Sequence, residues 1–136
     1  MAVRNAKAGL YDYPLILMSS DEEGNGIGII VMYSEIPNYY GEFKSDIYPG
    51  LKAELVGSSI YSTFSEPIFS ENTEKGTETA ILESINRQEG LESYSSTAFI
   101  IKDNKLIGIK YAVTSKELYD YYYYEFEEMV DSVTFK

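Results

Sequence analysis

Apolar residues first gather in two short runs, Pro14–Ser20 (PLILMSS) and Ile27–Ser34 (IGIIVMYS), separated by Asp21–Gly26 (DEEGNG). Glycine and asparagine adopt positive φ readily, so the pattern predicts an antiparallel hairpin. The second run is apolar on both faces and rich in β-branched residues, as a central strand is. From Asn38 to Val56 the period changes, because Phe43, Ile47, Leu51 and Leu55 recur every four residues and so share a helix face. Asn38 is placed to cap that helix, with Glu42 in its first turn and Gly57 at its end. Pro49 and Gly50 should kink or split it.

Ile60–Ser70 (IYSTFSEPIFS) reads as an irregular strand, with Pro67 pointing to an edge or bulge. A polar turn, Glu71–Gly76, follows. Thr77–Glu89 fits two patterns. Ile81, Leu82 and Ile85 would share a helix face, whereas Thr77, Thr79, Ile81 and Ile85 share one side of a strand; strand is preferred because a sheet pattern follows. Ser95–Lys102 and Lys105–Val113, joined by Asp103 and Asn104, form a hairpin whose turn favours positive φ at both positions. Pairing Lys102 with Lys105 sets Ile107 opposite Ile100, Ile109 opposite Ala98, and Phe99 opposite Gly108. Ser115–Val130 closes the chain as a helix capped by Ser115, with Leu118, Tyr119, Tyr122, Tyr123, Phe126, Met129 and Val130 as its apolar stripe.

The order β-β-α-β-β-β-β-α predicts an α+β fold: a two-layer sandwich of one antiparallel sheet of about six strands, covered by two helices. Its 136 residues suit one domain spanning the chain, with residues 1–12 as a loosely ordered tail.

Composition then removes much chemistry. With no Cys and no His, the chain has no disulfide, thiol nucleophile, Ser-His pair or imidazole metal ligand. Its 22 Asp and Glu against 11 Lys and Arg give a formal charge of -11, which argues against nucleic-acid and anionic-membrane surfaces. No apolar run is long enough to span a bilayer, so membrane insertion is not expected. No signal-peptide pattern opens the sequence.

The last strand pair and helix resemble the PsbP-like family of small α+β domains. The matching features are Phe99–Ile101, the Asp103–Asn104 turn, Lys105–Val113 with Tyr111, the Tyr/Glu-rich Tyr119–Met129 with Phe126, and the closing Val130-x-Ser132-x-x-Phe135. The resemblance covers roughly 77–136. It implies a non-enzymatic domain that binds a partner or ligand, often outside the cytoplasm. The expected location is therefore extracytoplasmic if an export signal has been trimmed, and cytoplasmic otherwise.

Four features could carry chemistry. Asp21, Glu23 and Asn25 imitate the first ligands of a calcium loop, but position 12 is Met32 rather than the required Glu, which leaves a weak cation site or an ordinary turn. Gly24, Gly26 and Gly28 fall short of a dinucleotide fingerprint, since Ile29 stands where a glycine is needed. The carboxylates of the last helix could pair as acid and base, yet their spacing places them on the solvent side. The fourth feature is tyrosine, of which there are 14. Tyr121 and Tyr124 cannot share the buried stripe, and Glu117, Asp120, Glu125 and Glu128 surround them. Tyrosine offers large contact area at low entropic cost, so these six residues read as a binding patch for a basic protein partner. Tyr39 and Tyr40 beside Gly41 form a lesser candidate. The expectation is a non-catalytic interaction module without cofactors; a small-ligand or divalent-cation binder is the alternative.

Overall fold

In a computed structural model of the chain, eight strands pair into one antiparallel sheet, and the structure describes residues 2–8, 11–20, 26–36, 41–57 and 60–135, with side chains from residue 26 onward. The strands are β1 (Ala2–Ala8), β2 (Tyr11–Ser20), β3 (Gly26–Glu35), β4 (Ser62–Phe64), β5 (Ile68–Asn72), β6 (Thr77–Gln88), β7 (Leu91–Lys102) and β8 (Lys105–Val113). The helices are α1 (Tyr48–Gly57) and α2 (Lys116–Asp131). Across the sheet the order is β1-β2-β3-β8-β7-β6-β4, with β5 also paired to β6. Two meanders, β1–β3 and β6–β8, therefore meet along β3 and β8. The α+β class is the expected one.

Several elements differ in detail. Residues 2–8, expected in a loose tail, pair with β2 as an edge strand. The single strand expected over Ile60–Ser70 is two, β4 and β5, because Pro67 has no N–H to continue the ladder. Ser65 bridges the gap: its N–H donates to the Glu83 carbonyl (2.8 Å), and its Oγ accepts from the Glu83 N–H (2.9 Å). Helical backbone begins with a π-helical turn at Phe43–Ile47 and continues into α1. Pro49 has no N–H to offer the preceding turn, and the helical run divides beside it into the π-helical turn and α1, the split expected at Pro49 and Gly50. The Asn38 cap lies outside the described residues. Thr77–Gln88 is a strand, as preferred.

The β7–β8 hairpin takes the expected register, Lys102 with Lys105, Ile100 with Ile107, Ala98 with Ile109 and Phe99 with Gly108. Its turn differs from expectation in that only Asp103 has positive φ (54°). The Asn104 carbonyl is used outside the hairpin, accepting from the Ile36 N–H at 2.7 Å. A Cβ on Gly108 would approach Phe99 Cδ1 to 3.7 Å and Met32 Cε to 2.7 Å, so the bare backbone makes room for both side chains.

The two helices take opposite faces of the sheet, whereas the two-layer expectation placed them in one layer. Successive strand residues point to opposite faces, and β7 separates accordingly. Phe99 and Ile101 pack with Ala80, Leu82 and Leu106 against Phe43, Tyr48 and Leu51 on the α1 side. Ala98 and Ile100 pack with Ile109, Tyr111 and Val113 against Tyr119, Phe126 and Val130 of α2. Burial of side chains such as Phe126 and Val130 contributes about 1.5–3 kcal/mol each. Val133 and Phe135 fold back onto the same cluster.

Candidate functional site, the outer face of the last helix

Ser115 starts α2 as its sequence position predicts: its backbone is extended and its Oγ accepts from the Leu118 N–H at 3.2 Å. From that start, 100° per residue sends Tyr119, Phe126 and Val130 into the core. The opposite ridge is Glu117, Tyr121, Tyr124 and Glu128, with Asp120 and Glu125 on its flanks. All six predicted residues are exposed together on this face. Tyr121 and Tyr124 keep 72% and 68% of their surface, unusually large values for aromatic rings. The Tyr121 ring meets Tyr122 edge-on, with centroids 4.8 Å apart, which steadies it against the helix.

Inward tyrosines serve the fold instead. Tyr111 stacks between Tyr119 and Phe126, both at 5.4 Å, and its hydroxyl donates to the Tyr119 carbonyl. The Tyr119 hydroxyl pairs with Ser96 Oγ at 2.9 Å, where Ser96 is fully buried. Burial pushes the hydroxyl pKa of Tyr111, Tyr119 and Tyr123 up, with nearby carboxylates adding to the shift.

Electrostatics distinguish this helix further. It carries six carboxylates (Glu117, Asp120, Glu125, Glu127, Glu128 and Asp131) against one lysine, Lys116. Four of the six stand in its C-terminal half, the negative end of the helix dipole, and no basic residue lies in its last turn. A lysine from another element meets that end: Lys75, in the turn between β5 and β6, donates to the carbonyls of Asp131 and Val133 (the latter at 3.3 Å). Glu127, Asp131 and Ser132, outside the six-residue patch expected from the sequence, line a shallow depression with Tyr124 and Glu128. Glu127 and Asp131 were legible in principle, since both fall on the outer half of the helical wheel.

Among the described residues no group of three or more metal-ligating side chains converges. Asp21, Glu23 and Asn25, and likewise Tyr39 and Tyr40, lie outside the described residues. A cavity of about 160 Å³ sits between β5, β6 and the end of α2, lined in part by Ser70, Lys75, Thr77 and Thr79. It is below the roughly 300 Å³ at which small-molecule pockets begin. No described helix is long and apolar enough to cross a membrane.

The architecture thus defines an α+β sandwich with an open antiparallel sheet and one acidic, aromatic helix face turned outward. No family model and no curated protein matches the chain. Among solved structures it is similar to PA94 of Pseudomonas aeruginosa, a protein of unknown function described as a candidate regulator. The likeness spans 98% of this chain and 97% of that one, with a TM-score of 0.62 and 9% identity. At that identity it is a likeness of fold.

Proposed function

We propose that this protein is a non-catalytic interaction module that binds a basic protein segment through the outer face of α2. The observation that carries the reading is the pair of exposed rings, Tyr121 and Tyr124, bracketed by Glu117 and Glu128 on one ridge. Exposed aromatics framed by one sign of charge combine contact area with electrostatic selection, the combination that protein-binding hot spots use. The formal charge of -11 favours a partner of opposite sign and predicts an association rate that falls with salt. The resemblance of 77–136 to the PsbP-like family supports the same reading, since those domains act on partners or ligands without catalysis.

The test compares wild type with Tyr121→Ala/Tyr124→Ala as bait for proteins of its own source. Both rings lie outside the core, so the double variant keeps its circular dichroism and melting temperature. The reading expects a partner captured by wild type, lost from the double variant, and released by raising salt. Equal capture by the two proteins, or unfolding of the double variant, refutes it.

A further inference from the structure

Lys116 is in an unfavourable place for a cation. It is the first residue of α2, at the positive end of the helix dipole. Its ion pair with Asp120 runs lysine-to-acid along the helix, the less stabilising order at this spacing. Both side chains are about 60% exposed, so the pair adds little to stability. Its position nevertheless has several contacts. Nζ lies 2.8 Å from Asp120 Oδ1 and 4.8 Å from the centroid of the Tyr119 ring. Tyr94, whose ring centroid is 6.2 Å from that of Tyr119, flanks it. Glu83 of β6 stands directly opposite Ser96 in the strand register, and Ser96 Oγ pairs with the Tyr119 hydroxyl, so Glu83 brings a carboxylate to the α2 face of the sheet on the Tyr119 side.

An aromatic face beside a carboxylate is a receptor for a cationic side chain. We infer that the Tyr119 ring, Asp120 and Glu83 form a seat for an arginine of the partner, and that Lys116 is its internal placeholder. This rests on the interaction-module reading and deepens it, because Asp120 belongs both to the seat and to the flank of the Tyr121–Tyr124 ridge. Arginine suits the seat better than lysine does. Its planar guanidinium can stack on the ring while two of its N–H groups reach one carboxylate, whereas an ammonium makes point contacts. Lys116 holds the seat through an exposed pair on a long flexible stem, so it yields at small cost. While it is seated, the fraction of protein open to the partner is reduced, and apparent affinity falls by that fraction.

The experiment titrates a dye-labelled peptide of alternating arginine and glycine, and its lysine counterpart, into the full chain by fluorescence anisotropy. Lys116→Met removes the placeholder and Asp120→Asn removes the anchor. Lys52→Met in α1, on the opposite face of the sheet, makes the same change in net charge away from the seat. The expected result is tightening of the arginine peptide by about fivefold in Lys116→Met, corresponding to a seat filled about four-fifths of the time. Lys52→Met leaves affinity near wild type, Asp120→Asn weakens it about fivefold or more, and arginine outbinds lysine. Lys116→Gln serves in place of Lys116→Met if that variant loses its wild-type circular dichroism. Equal effects of the Lys116 and Lys52 variants overturn the seat; if Tyr121→Ala/Tyr124→Ala still weakens the peptide, the interaction reading stands alone. Absence of binding to every variant overturns both.

Discussion

Tyr48 and Tyr119 are both 5% exposed, and removing one hydroxyl from each should have opposite consequences. Tyr48 packs edge-on against Phe69 at 5.1 Å and Phe43 at 6.5 Å, and its hydroxyl has no hydrogen-bond partner among the described residues. Burial, with Glu66 adding to it, pushes that hydroxyl's pKa up. An unsatisfied buried polar group costs about 1–3 kcal/mol, so Tyr48→Phe should recover about 1 kcal/mol. For a domain of this size that is roughly 3–5 °C in Tm. The Tyr119 hydroxyl is instead paired with Ser96 Oγ, which is fully buried. Tyr119→Phe leaves Ser96 without that partner and should cost about 1–2 kcal/mol, a drop of several degrees. Urea unfolding followed by far-ultraviolet circular dichroism measures both, with the m-value checking that the unfolded states match. A Tyr48→Phe variant less stable than wild type, or a Tyr119→Phe variant equally stable, would refute the reasoning that the hydrogen-bond partner sets the sign.

Two further outcomes follow from the same geometry. Tyr48, Tyr94, Tyr111, Tyr119 and Tyr123 all have hydroxyl pKa values raised above 10.0 in the fold, so their contribution to stability is complete below pH 10 and is lost as pH rises through the folded values. Tyrosinate absorbance should therefore show a late step that coincides with loss of circular dichroism, and titration of all tyrosines before unfolding would contradict it. Lys110 lies on the α1 face beside Thr97 and Ile30, half-buried, and desolvation pushes its pKa below 10.5. Lys110→Met keeps the stem and removes the desolvated charge, so Tm at pH 7 should rise by about 2–4 °C; the gain should shrink as pH rises toward 10.5, where wild type also sheds the charge, and a lower Tm at pH 7 would refute it.

What was legible in the chain follows the range of the forces involved. The β7–β8 register was readable because a two-residue turn and alternating side chains lie within a dozen residues of each other. The inward stripe of α2 was readable for the same reason. The layering had a local signal that the two-layer reading passed over: Ala98, Phe99, Ile100 and Ile101 are four apolar residues in succession, and a strand apolar on both sides needs cover on both sides. Strand β1 left no such signal. AVRNAKA has no sustained alternation, and its pairing with β2 shifts register between Arg4 and Ala6. The exposed tyrosines followed from helical geometry alone, whereas the cation seat needs Glu83, which reaches α2 only after β6 is laid into the sheet.

The charge order along α2 bears on the role proposed for its outer face. A helix optimised only for its own stability carries acids in its first turn and bases in its last. Here the first turn holds both Lys116 and the favourably placed Glu117, but the finish departs from that order, with Glu125, Glu127, Glu128 and Asp131 crowding toward it and no base in the last turn. Each misplaced charge costs about 0.3–1 kcal/mol at low salt. Lys75 meets two carbonyls at the far end but leaves the carboxylates in solvent. The result is a negative field concentrated around Tyr124, which a cationic partner would relieve on docking. Binding should therefore stabilise α2 itself, and a basic segment placed on this ridge should raise the melting temperature by more at low salt than at high.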